Sequence, residues 1–199
     1  FYWFIRNIGR SGKQAGDRGR WGLGKLVYPL ASEVRSYFAY TVRKSDMKRL
    51  LIGRSTLKMH RVHGRQHDSE GYFGQFEVPH HPYFASPETD QRLLDQFAFD
   101  FKLSRAEDEP GLSLVIPWPD EDITYESLIE SLLRHWFWVL LTEQIEVEVA
   151  VAGSEQSVSL SRDTLLDSLG ERKGNAIEDL RNAIAFASRV RDFRRDEGC

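Results

Sequence analysis

The chain has 199 residues, 41% of them hydrophobic and 29% charged, a balance that supplies a core and excludes a disordered or fibrous polymer. Its net charge of −3 conceals a split: residues 1–65 carry 15 lysines and arginines against three acidic residues, whereas residues 66–199 carry 12 against 27. The longest apolar run, residues 136–141, is too short for a membrane helix, and a lone cysteine, Cys199, excludes an intramolecular disulfide or a cysteine-built zinc site. No membrane partner is expected, and the cysteine usage fits a reducing, cytoplasmic setting. The basic first part calls for an anion: nucleotide phosphate, nucleic acid, or the chain's own acidic remainder.

In chain order, Phe1 to Ile5 is apolar and predicts a buried element. A loop follows over residues 7–19, punctuated by Gly9, Gly12, Gly16 and Gly19, and residues 20–25 lead into a short helix over 26–32. Aromatic and β-branched residues predict a strand over 34–43, then a polar turn, then two strand segments over 50–53 and 55–59. Residues 62–88 read as loop, 90–99 as a short helix, and 112–117 as a strand bounded by prolines. Thr124 is an N-cap for a helix through Leu141, with Leu128, Ile129, Leu132, Leu133, Trp136, Phe137 and Leu140 at helical spacing. Alternation predicts a half-buried strand over 145–151. After Gly153 the character changes, with a strand over 154–161, a short helix over 162–169, and a helix over 175–195. The helix carries Ile177, Leu180, Ile184 and Ala187 on one face. Strands and helices occur without regular βαβ alternation, so the fold class is α+β.

Chemistry concentrates in Gly19-Arg20-Trp21-Gly22-Leu23-Gly24-Lys25. Glycines let backbone approach a ligand without a Cβ clash, and unpaired amides at a helix start hold phosphate oxygens. The bland alternative is a tight loop that needs glycines for its own turns.

The order Ile8-Gly9-Arg10-Ser11-Gly12-Lys13, then Gly19 to Gly24, then a short helix and an aromatic-rich strand resembles the ATP lid of the GHKL superfamily. Gyrase B, the ninety-kilodalton heat-shock chaperones, MutL and histidine kinases make up that superfamily, and the chaperone branch is the nearest in pattern. Ser11-Gly12-Lys13 matches its Ser-Gly-Thr, Gly19, Gly22 and Gly24 match its Gly-x-x-Gly-x-Gly, and Gly111-Leu112-Ser113 stands at its late Gly-Thr. Leu112 replaces the threonine there.

The resemblance implies a Bergerat-type two-layer α/β sandwich, with residues 1–153 as its second half from the lid onward and 154–199 as an α/β extension. It implies ATP with magnesium as cofactor and a nucleotide-driven switch or clamp. Ser11, Gly12, Lys13, Gly19, Arg20, Gly22, Leu23, Gly24 and Lys25 would then be the nucleotide-binding residues. Lys58 would be a γ-phosphate contact of transducer type. A homodimer through the lid and a DNA or protein client are the partners it allows. No catalytic residue is assigned within the chain. The family's glutamate and magnesium-binding asparagine, and its adenine-reading Asp-x-Gly-x-Gly, are expected before Phe1, so this stretch alone is expected to hydrolyse ATP negligibly.

Two further classes stand beside this one. A nucleic-acid-binding module would use the basic segment with Tyr2, Trp3, Trp21, Tyr37 and Phe38 for stacking, though it would not need glycines at a helix start. An interaction domain without a ligand would pair its charges internally. Among other features, His60, His63, His67, His80 and His81 near Asp68 and Glu70 have metal-ligand chemistry, but Gly64 and Gly71 argue for solvated loop histidines. Asp120, Glu121 and Asp122 read as helix N-terminal charges, Trp136, Phe137 and Trp138 as core or interface, and Arg189, Arg191, Arg194 and Arg195 as a solvated face.

Overall fold

A run in which both alternating sets of side chains are apolar needs cover on both faces, which places residues 36–42 inside a sheet. The computed structural model describes residue 5 and residues 24–76, 85–170 and 175–196. A 3-10 turn (Gly24–Leu26) and a one-turn helix α1 (Val27–Leu30) precede β1 (Ser36–Val42). β1 and β2 (Arg49–Thr56) form an antiparallel hairpin in register from Ser36↔Ser55 to Val42↔Arg49. β2 is one continuous strand where two were expected. Gly53 is not a break in it: a Cβ there would stand 2.7 Å from Phe38 and 2.9 Å from Phe73, so the glycine makes room for two rings.

The 43–48 turn is held by Asp46, whose carboxylate accepts from the Arg43 guanidinium and, at 3.3 Å, from the Lys48 amide. The Arg43 hydrogen bond holds the Asp46 carboxyl at about 2, below its ordinary 3.8. A depressed carboxylate keeps its contribution above its ordinary value and loses it as pH falls through the depressed one. An NMR titration of Asp46 is therefore expected to have its midpoint near 2, and Arg43→Gln to return it toward 3.8.

Residues 62–88 are not loop throughout. β3 (His60–Val62) and β4 (Arg65–His67) make a small hairpin that turns at His63 and Gly64, with φ of 48° and 79°. Two positive φ values in succession give the turn whose twist suits adjoining strands. β5 (Glu70–Phe73) pairs with β2, and β6 (Gln75–Phe76) with β7 (Ala85–Ser86). These strands are short, polar and partly exposed, so no period-2 apolar signal marks them.

Helix α2 (Gln91–Asp100) starts at Asp90, whose side chain accepts from the Leu93 amide at 3.1 Å. β8 (Gly111–Val115) then pairs with β1, which completes an all-antiparallel sheet ordered β5-β2-β1-β8. One face carries Tyr40, Val42 and Leu51, covered by Leu94 and Phe97 of α2. The other carries Tyr37, Ala39 and Ile52, covered by Ile5 and by Tyr28 of α1.

Residues 1–120 form one compact unit and 121–199 a second. In the second, helix α3 (Tyr125–Leu141) is capped by Thr124, which exchanges hydrogen bonds with Ser127 in a capping box. β9 (Val147–Ala150) and β10 (Ser157–Leu160) pair antiparallel, a 3-10 turn spans Asp167–Leu169, and α4 (Asn175–Asp196) closes the unit. The helix expected over 162–169 is thus reduced to its last three residues. Ile129, Leu133, Leu140 and Leu141 of α3 share one core with Leu160, Leu165, Leu169, Ile184 and Ala187. The compact division falls at 120/121, and α3 draws part of its core from residues 154–199. Phe137 packs against that core, whereas Trp136 and Trp138 are 50% and 43% exposed, so those two tryptophans are not core residues. The mixed helices and antiparallel sheets agree with the α+β expectation.

Candidate functional site

Of the nine residues expected to hold nucleotide, Ser11, Gly12, Lys13, Gly19, Arg20, Gly22 and Leu23 lie outside the described residues. Gly24 and Lys25 open the 3-10 turn that runs into α1. This helical stretch is only residues 24–30, closed by the Ala31 amide on the Val27 carbonyl at 2.8 Å. So short a helix sums few peptide dipoles, and any phosphate hold here rests on individual amides more than on a macrodipole. Among the described residues, no atom lies within 4 Å of the point where a Cβ on Gly24 would stand. Lys58 is exposed in the connection from β2 to β3.

A buried polar arrangement lies on the sheet face beneath α1. Tyr28 packs its ring 5.4 Å from that of Tyr37, and Tyr37 is the cross-strand partner of Arg54 on β2. Arg54 is 4% exposed. Its Nη1 donates to the Ile5 carbonyl at 2.9 Å and its Nη2 to Glu70 Oε1 at 2.7 Å. Tyr72, the next cross-strand neighbour, lies 5.9 Å beneath the guanidinium and donates its hydroxyl to Glu70 Oε2 at 2.8 Å. A buried guanidinium is tolerable only when paired and hydrogen-bonded, and this one has both. Even so, Arg54 Nε and the Tyr37 hydroxyl are buried without a hydrogen-bond partner.

Burial pushes the Tyr37 phenol above its ordinary 10.0, with the Arg54 charge opposing. A phenol with a raised folded value contributes stability that is complete below its unfolded value and lost as pH climbs above it. Melts of the first unit are expected to fall more steeply in the wild type than in Tyr37→Phe from about pH 10 upward.

Sequence reasoning missed Arg54. The available signal was an arginine two positions after Ile52, which alternation places on the face that Ile52 buries. Beside it, a cavity of about 260 Å³ is lined by the small residues Ser36, Gly53, Ser55 and Gly71 and by the rings of Phe38 and Phe73.

Among the described residues the histidines do not converge. His60 and His67 face each other across the β3–β4 hairpin, stacked at 5.4 Å, His63 sits at the turn, and His80 and His81 lie outside the described residues. Among the described residues, no group of three or more His, Cys, Asp or Glu side chains is placed to hold a metal ion, and no helix is long and apolar enough to cross a membrane.

The basic segment meets the chain's own acids. Arg49 pairs with Asp95 at 2.6 Å and Glu107 at 3.0 Å, and Arg54 pairs with Glu70. Tyr37 is 1% exposed and Phe38 packs among Phe73, Phe97 and Phe101, so neither ring is presented to a base. In the second unit, Arg191 donates to the Leu141 carbonyl at 2.9 Å at the end of α3, a structural use of an arginine read as solvated. Comparison with known proteins finds no matching family model, no matching curated protein and no matching solved structure.

Proposed function

We propose that the chain carries the second half of a GHKL-type ATP-binding domain, in a Bergerat-type two-layer sandwich, with the phosphates taken by the glycine-rich segment that ends at Gly24. The observation that carries this reading is the way the segment joins the fold. Its last glycine leads directly into a tight helical turn seated by Tyr28 on the central strand of an antiparallel sheet. Among the described residues nothing crowds the Gly24 backbone, which supports the approach of a phosphate there. β8 pairs with β1 alone among the described residues, which leaves an outer edge on which strands of a first half would continue the sheet.

In this proposal the magnesium ligands belong to that first half. ATP bound in this way would supply a group whose presence or absence the domain reads as a conformational change. A dimer through the glycine-rich segment and a DNA or protein client complete the proposal.

Isothermal titration of the 199-residue chain with ATP and magnesium is the direct test. Weak saturable binding, competed by inorganic triphosphate, is expected. Binding of single-stranded DNA with a steep salt dependence and no competition by triphosphate would overturn the proposal in favour of a nucleic-acid module.

A further inference from the structure

The chain that leaves β8 turns through Pro117-Trp118-Pro119, and Trp118 stands there at a φ of 45°. A bulky side chain rarely takes that left-handed conformation, and a residue before proline is steered toward extended backbone instead. Such strain persists only where the surroundings impose it, and here the turn is latched to residues 31–33. The Glu33 amide donates to the Trp118 carbonyl at 2.8 Å, and the Asp120 amide to the Ala31 carbonyl at 3.0 Å. The hydroxyl of buried Ser32 donates to the Pro117 carbonyl at 2.7 Å. Glycine would take this backbone at least cost. The core does not need the indole either: Trp118 is 69% exposed and, among the described residues, belongs to none of the apolar clusters.

Folding gains little from this ring, and a rigid, exposed tryptophan is the residue type on which interfaces concentrate binding energy. Its surroundings select the partner. Glu33 and Asp120, the residues whose amides make the latch, are both exposed and acidic. Arg35 turns Nη1 onto the Leu30 carbonyl at 2.9 Å. Leu30, which precedes the latch residue Ala31, is itself exposed at the end of α1. Carboxylates here repel the phosphates of a nucleic acid and attract a cation. We propose that Trp118 is the anchor of a docking surface for a basic protein segment, its indole face taking an arginine head group. Tryptophan offers the strongest ring for a cation, and a planar, weakly hydrated guanidinium stacks on it better than an ammonium does. The alkyl stem of the arginine covers Leu30, and Glu33 and Asp120 complete the charge. Because the latch fixes the turn before binding, the anchor is not ordered at the partner's expense. Nothing in this surface depends on a nucleotide.

The experiment titrates the full 199-residue chain into a fluorescein-labelled hexa-arginine peptide, read by anisotropy, with a hexa-citrulline peptide of the same shape and no charge as the comparison. Wild type, Trp118→Gly, Trp118→Phe and Glu33→Gln are measured, and each is melted. The arginine peptide is expected to bind the wild type and the citrulline peptide to fail. Trp118→Gly is expected to weaken the arginine peptide at least about threefold while its melting temperature stays the same or rises, because the strained side chain is gone. Trp118→Phe, which keeps a weaker ring, is expected to fall between the two, and Glu33→Gln to weaken binding with no change in melting. Unchanged affinity in Trp118→Gly would overturn the anchor. A lower melting temperature in that variant would also overturn it, since the ring would then support the fold. Equal binding of the citrulline peptide would remove the cation from the proposal. Binding of single-stranded oligothymidine that is lost in Trp118→Gly would overturn the basic partner in favour of a stacked base.

Discussion

Replacing Gly24 with alanine is expected to weaken ATP binding at least about tenfold while leaving the melting of the first unit unchanged. The expectation joins two observations. Among the described residues a Cβ on Gly24 meets no atom within 4 Å, and the residue is free of the left-handed backbone conformation, so alanine is expected to cost the protein little beyond its own preferences. A phosphate drawn against that backbone would meet the new methyl, and the loss of one charge-assisted hydrogen bond is worth about 1.5–3 kcal/mol, a factor of ten or more. The same change at Gly22 tests the neighbouring amide, with a similar loss expected. Gly53→Ala is a contrasting control: its Cβ would collide with Phe38 and Phe73, so it is expected to lower stability by about 1–3 kcal/mol through overpacking. Titration calorimetry and thermal melts on the variants decide the matter. Unchanged affinity in both Gly22→Ala and Gly24→Ala would remove the phosphate cradle from these glycines.

The parts of the fold that could be read from residues are those with a long, repeated physical signal. The aromatic and β-branched run of β1 announced a strand, and the structure covers it on both faces, by α2 on one side and by Ile5 and Tyr28 on the other. Thr124 followed by regularly spaced leucines announced α3, and the cap is present with its full hydrogen-bond exchange. What escaped was short or collective. The strands β3 to β7 hold two to four residues each, too few for periodicity to rise above composition, and only the His63-Gly64 pair hinted at a turn.

Arg54 escaped because it was read as one unit of a +12 charge, and a sum says nothing about which cation is buried. The same sum left nucleotide phosphate, nucleic acid and the chain's own acidic remainder open, and Arg49 and Arg54 spend their charge on Asp95, Glu107 and Glu70 of the same unit. Most of the candidate nucleotide site, residues 11–23, was legible only as a motif and lies outside the described residues. The Arg54 cluster was legible only from geometry, since it joins Ile5 and Glu70 across 49 and 16 positions of sequence.

Leu133→Ala is expected to destabilise the second unit by about 2–5 kcal/mol, the range for removing a leucine side chain from a filled core. Leu133 is 1% exposed and packs with Ile129, Leu140, Leu160, Leu165, Leu169 and Ile184. Those partners come from α3, β10, the 165–169 turns and α4, so the cavity left by alanine touches every layer of the unit, and little can collapse into it. Leu128, one turn earlier on the same helix but 43% exposed, gives the control: Leu128→Ala is expected to stay within about 0.5 kcal/mol. Hydrogen exchange read by mass spectrometry locates the effect. Amides of α3, β9 and β10 should lose protection in Leu133→Ala while those of β1 and β2 keep theirs, because Tyr40, Val42 and Leu51 draw their cover from α2. Equal loss of protection in β1 and β2 would mean that α3 and the sheet unfold as one body, returning residues 121–153 to the first unit as their composition had suggested.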